Sequence, residues 1–162
     1  MPFRYRLQKI LEIRIRKKEE QMQVVVRAQQ EVNRIELLIM KNLEQIEASS
    51  RQMRESDPMM YDSFDKFIKH LWEEDKKLQI QKQEAIDNLN HEKEILELRE
   101  REVNVLDKHR ENLKEEYIKE QKALELKELN EVGSQKHFIK QKERKEQEET
   151  EYLEQKNGNK HI

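Results

Sequence analysis

Counting by sevens from Leu11 selects Leu11, Lys18, Val25, Val32, Ile39, Ile46 and Met53, six apolar residues in seven positions. A hydrophobic repeat of seven is the mark of a coiled-coil seam, because it keeps one stripe of an α-helix turned toward a partner helix. The companion row holds Leu7, Arg14, Gln21, Ala28, Ile35, Asn42 and Ser49. One side of the seam is therefore apolar and the other mixed.

The pattern breaks at Ser56-Asp57-Pro58. An aspartate there can cap free amides, and proline suits the first position of a new helix. Beyond the break, alternating steps of four and three select Phe64, Ile68, Leu71, Leu78, Ala85, Leu89, Leu96, Val103, Leu106, Leu113, Tyr117 and Leu124. A chain that reverses near residue 57 pairs positions whose numbers add to about 114, and the two stripes meet that condition. Ile46 falls opposite Ile68, Leu43 opposite Leu71, Ile35 opposite Leu78, Ala28 opposite Ala85, Val25 opposite Leu89, Leu11 opposite Val103 and Leu7 opposite Leu106.

The reading is thus an all-α fold, a long two-helix antiparallel coiled-coil hairpin with an overhanging C-terminal helix. Helix one is expected over about 3–54, the turn over about 55–60, and helix two over about 61–132 and onward. Leu113, Tyr117 and Leu124 lie past the end of the first helix and are expected to overhang it. The hairpin domain is expected to fill 1–145. A charged flexible tail is expected over 146–162, where Lys, Glu and Gln replace the stripe.

Composition agrees. Charged residues make up 42% of the 162, against about a quarter in ordinary globular domains, which leaves too few apolar residues for a layered core. A net charge of −2 argues against a generic nucleic-acid binder. There is no cysteine, hence no disulfide or thiolate chemistry, and a reducing compartment is the natural setting. The N-terminal Met-Pro-Phe-Arg-Tyr-Arg lacks the apolar block of a signal peptide, and the aliphatic run Leu37 to Met40 is far short of a transmembrane segment.

The sequence offers little for catalysis. His70, His91, His109, His137 and His161 share no metal-binding spacing and are expected on solvated helix faces. Glycine occurs only at 133 and 158, which rules out the common phosphate-cradling loops. The expectation is a non-enzyme with no cofactor and no metal.

Three features stand out from this background. Arg4, Arg6, Lys9, Arg14, Arg16, Lys17 and Lys18, with only Glu12 among them, make the N-terminal run basic and suited to an acidic protein or membrane surface. Tyr61, Phe64, Phe67 and Trp72 cluster near the bend. Phe64 suits the bend interior, while Phe67 and Trp72 fall off the stripe as candidates for a docking patch. The overhanging stripe Leu113, Tyr117 and Leu124 is a third surface. Its competing use is weak self-association.

These residues carry a resemblance to the FliJ family of flagellar type III protein export. Phe3-Arg4-Tyr5-Arg6-Leu7-Gln8-Lys9-Ile10-Leu11 resembles the family's aromatic-x-aromatic-x-Leu-x-x-aliphatic-Leu opening. Tyr61 to Leu71 resembles its aromatic entry to the second helix, and Glu125-Leu126-Lys127-Glu128-Leu129-Asn130-Glu131-Val132 resembles its late acidic segment, with Asn130 where Asp is usual. The resemblance implies a cytoplasmic stalk, peripheral to the inner face of the cell membrane. It would enter a hexameric export ATPase, link it to the membrane export gate and interact with export chaperones. Phe67 and Leu71 match gate-contact positions, joined by Trp72, whereas Glu74 and Leu78 replace an alanine and a histidine. Arg4, Arg6, Arg14, Arg16, Lys17, Lys18, Leu113, Tyr117 and Leu124 are the residues expected at the ATPase ring. A stalk subunit of a rotary ATPase or of a virulence secretion system, or a homodimeric scaffold, would share the same helical physics.

Overall fold

The structure, a computed structural model, describes residues 2–158. Helix α1 covers Gln8–Glu55, a single 3-10 turn covers Pro58–Met60, and helix α2 covers Tyr61–Gly158. Among the described residues there is no strand, and the fold is an all-α helical hairpin. The chain divides into two units: Tyr5–His109, and the residues up to Arg4 together with those from Arg110 onward.

In the unit Tyr5–His109 both rows of α1 face inward. Leu11, Val32, Ile39 and Ile46 of the seven-step row are buried, and Lys18, Val25 and Met53 are half-buried. In the companion row Ala28, Ile35 and Ser49 are buried, and Leu7, Arg14, Gln21 and Asn42 are half-buried. From α2, Leu71, Leu89, Val103 and Leu106 are buried. Ala28, Val32 and Leu89 form one core cluster, against which Val25, Ala85 and Ile86 pack.

The polar members of the companion row are built into the pairing. Arg14 Nη1 donates to the Glu102 carbonyl at 3.3 Å, Gln21 Nε2 to the Glu92 carbonyl at 3.0 Å, and Asn42 Nδ2 to the Leu71 carbonyl at 2.9 Å. A helical carbonyl has a second lone pair free after its own ladder bond, so each donor is satisfied without unwinding α2. These bonds place the register close to the value of about 114 read from the two stripes. One pairing differs. Leu71 is approached by Asn42, while Leu43 is 41% exposed.

The bend follows from three residues. Ser56 ends α1 by turning both its amide and its hydroxyl to the Met53 carbonyl, at 3.3 and 2.8 Å. Asp57 then accepts from the Met59 amide through its carboxylate, and Pro58 opens the 3-10 turn as expected of a proline at a helix start. Arg54 in the last turn of α1 and Asp62 in the first turn of α2 both complement the helix dipoles.

Helix α1 begins at Gln8, a turn later than the expected residue 3. The cause is Tyr5, whose ring is buried and whose carbonyl accepts from the Gln8 amide at 3.2 Å. The Tyr5 hydroxyl reaches the Leu106 carbonyl at 3.3 Å and His109 Nδ1 at 2.9 Å. Held in this way, residues 2–5 run without regular structure, and Leu7 starts the helix with no side-chain cap.

In the other unit, the Phe3 and Tyr117 rings meet with centroids 5.7 Å apart and planes tilted by 47°. Leu113 and Tyr117 are half-buried and Leu124 is 54% exposed. Every residue from Lys122 to Gly158 is exposed, yet helix continues throughout. Residues 146–158 continue the helix and are wholly exposed. Glu, Lys and Gln are strong helix formers, and i,i+4 ion pairs such as Lys142 with Glu146 at 3.9 Å add local support. Residues 159–162, including His161 and the end of the expected tail, lie outside the described residues.

Candidate interaction surfaces

Near the bend, the apolar residues left over from the seam are large and accessible. Met59 is 88% exposed, Met60 51%, Phe67 42% and Trp72 46%. Leu71 is not among them: it is 6% exposed and committed to the hairpin interior, which removes its side chain from any partner surface. Five residues separate Phe67 from Trp72, about 140° around an α-helix, so the two rings flank the seam on opposite sides and do not form one patch. By helical spacing Trp72 shares its side with Tyr61, eleven residues earlier on α2.

Exposed ion pairs border these aromatics: Asp62 with Lys66 at 2.9 Å, Asp65 with Lys69 at 2.8 Å, and Glu74 with Lys77 at 3.0 Å. The bond from Lys77 holds the Glu74 carboxyl below the ordinary carboxylate range, and the bond to Asp65 raises the Lys69 ammonium above its own. The charges near these aromatics are therefore locally compensated.

The basic run is divided by the fold. Arg14 turns into the seam, bonded to the Glu102 carbonyl, and Lys18 is half-buried beside it. Arg6, Arg16 and Lys17 remain exposed in the same unit. Arg4 is also exposed and belongs to the unit that holds Leu113, Tyr117 and Leu124, next to the Phe3 ring that packs on Tyr117.

Of the histidines, His70, His91, His109 and His137 are exposed as expected. His109 in addition has a long-range partner: its ring lies 5.6 Å from that of Tyr5, tilted by 58°, and its Nδ1 meets the Tyr5 hydroxyl. The aromatic at position 5 carried this signal. Its partner lies 104 positions along the chain, beyond what helical periodicity can indicate.

A surface not found by tracing the seam lies on one flank of α1, about a third of a turn from Val32 and Ile39. Met22 is 44% exposed, Val26 49%, Leu37 50% and Met40 58%. Their spacing of four, then a gap, then three was legible, but the stronger stripe on the same helix masked it.

Among the described residues, no three His, Cys, Asp or Glu side chains are grouped to hold a metal ion. No described helix is long and apolar enough to cross a membrane. Comparison with protein-family models, with curated proteins and with solved structures finds no match for this chain.

Proposed function

We propose that the chain is a non-catalytic stalk of the bacterial flagellar type III protein export apparatus, which engages the hexameric export ATPase and links it to the membrane export gate and export chaperones. The observation that carries this reading is the partial exposure of Phe67 and Trp72, 42% and 46%, on either flank of the buried Leu71. Large aromatics left partly exposed beside a seam contribute less to the hairpin than buried ones, whereas at a protein contact such anchors contribute most of the binding energy. The FliJ-like opening from Phe3 to Leu11 and the aromatic entry to the second helix support the assignment. In this scheme Phe67 and Trp72 meet the gate. Leu113, Tyr117 and Leu124, with the outward cations Arg4, Arg6, Arg16 and Lys17, meet the ATPase, where charge speeds encounter and apolar contact sets the lifetime.

The test is reconstitution with the export ATPase and the export gate protein of the same cell. The full chain should co-elute with the ATPase at low salt, raise its hydrolysis rate, and lose both effects as salt rises. Phe67→Ala with Trp72→Ala should abolish gate capture and leave ATPase stimulation intact. Absence of ATPase association at any salt concentration would overturn the assignment.

A further inference from the structure

Two apolar doublets stand on the otherwise charged end of α2, Phe138 with Ile139 and Tyr152 with Leu153. These four residues are 70%, 54%, 65% and 56% exposed, and each doublet borders its own shallow hollow between side chains. The doublets are two heptads apart, so at the 3.5 residues per turn of a coiled coil they fall on one strip of the helix. Phe138, Lys145 and Tyr152 form one edge of that strip at seven-residue spacing, and Ile139, Glu146 and Leu153 form the other. Lys142 and Glu149 lie between the edges, in a middle row with the same spacing. The midpoint between the doublets falls between Lys145 and Glu146. At that point the charges on the strip change sign, from Lys142 and Lys145 to Glu146 and Glu149. An apolar pattern and a charge pattern thus share one centre, about which the first repeats and the second inverts. That is what a contact between identical subunits about a two-fold axis requires.

We propose that this strip binds a second copy of the chain, α2 against α2 and antiparallel, with the two-fold axis between Lys145 and Glu146. Phe138 then packs beside Tyr152 of the second copy, and Ile139 beside its Leu153, at both ends of the contact. In the middle row Lys142 faces Glu149 of the second copy, again twice by symmetry. These charges lie on the contact face itself, and they set the direction. Parallel pairing in register would place Lys142 against Lys142 and Glu149 against Glu149, which opposes binding. At the axis, Lys145 and Glu146 each come beside their own counterpart. Both stand on the edges of the strip, where solvent screens charge and such contacts count for little, and Glu146 keeps Lys142 of its own helix at 3.9 Å. The apolar area is small, so the association is weak and follows concentration.

Sedimentation equilibrium of the unmodified chain at low ionic strength should show a dimer that grows with concentration. Lys142→Glu should weaken it by about tenfold, and so should Glu149→Lys, whereas the two together should restore it at unchanged helical circular dichroism. Gln135 and Lys156 continue the middle row beyond the doublets and meet across the two copies in this arrangement. Because the chain has no cysteine, Gln135→Cys mixed with Lys156→Cys under mild oxidation should give a disulfide-linked dimer. Gln135→Cys alone should not, since two copies of residue 135 lie about 31 Å apart along the axis. A chain that stays monomeric up to millimolar concentration would overturn the proposal and leave the strip to solvent or to a different protein. It would equally be overturned by a double exchange that binds no better than either single one, or by Gln135→Cys linking to itself as readily as to Lys156→Cys. Export partners are absent from these measurements, so their result stands apart from that of the ATPase and gate experiments.

Discussion

The Asn42 side chain donates to the main-chain carbonyl of Leu71 at 2.9 Å, from one helix of the hairpin to the other. With Arg14 and Gln21 it forms a set of polar contacts at multiples of seven residues along α1. Asn42→Ala should destabilise the hairpin by about 0.5–1.5 kcal/mol, the usual net worth of one hydrogen bond. Asn42→Leu should instead raise the urea midpoint while broadening the set of registers, seen as mixed crosslinks between the helices.

Asp75 sits in the seam between Leu71 and Leu78, and its Oδ1 is buried with no hydrogen-bond partner. A carboxylate oxygen stripped of water and given nothing in return is unfavourable. Asp75→Leu should therefore stabilise the hairpin by about 1 kcal/mol, measured by urea denaturation. A lowered midpoint would mean that the carboxylate serves the fold in a way this geometry does not contain.

Cysteines at Val25 and Leu89 should form a disulfide within one chain, since both side chains belong to the same packed cluster. Non-reducing electrophoresis at low protein concentration should show a faster-migrating monomer. Crosslinking only between chains would contradict the hairpin.

Gly133 lies inside α2 with nothing within 4 Å of the position a Cβ would occupy, and its φ is not positive. The glycine meets no steric need there, and it weakens a helix interior by about 1 kcal/mol relative to alanine. Gly133→Ala should slow amide exchange over the neighbouring turns and leave the segment Tyr5–His109 unaffected.

The hairpin was legible because its two stripes are independent and their agreement could be checked pair by pair. Leu11, Val32, Ile39 and Ile46 are buried as their spacing requires. The polar half of the seam was legible as positions but not as contacts. Nothing in the pattern tells whether Arg14 turns outward as a free cation or inward to the Glu102 carbonyl. That choice rests on the second lone pair of a carbonyl on the opposite helix. Phe67 and Trp72 were read together because they are close in sequence, whereas an α-helix turns five residues of separation to nearly opposite sides. The start of α1 was misplaced for a further reason. Tyr5 finds its partners more than a hundred positions away, where no local propensity acts.

The Tyr5 contacts also bear on how the chain folds. The bend can form early, because Ser56, Asp57 and Pro58 contact only near neighbours in sequence. Tyr5 must wait for Leu106 and His109 to be carried into reach, and closing so long a loop is entropically unfavourable and slow unless nearer pairs form first. Pairing that spreads from the bend shortens the remaining loop at each step, and the Tyr5 ring docks after the seam residues of α1. The same order reversed describes opening under stress: the first residues release from α2 before the bend is disturbed, and the α1 helix, with no cap at Leu7, unwinds from the end that Tyr5 had pinned.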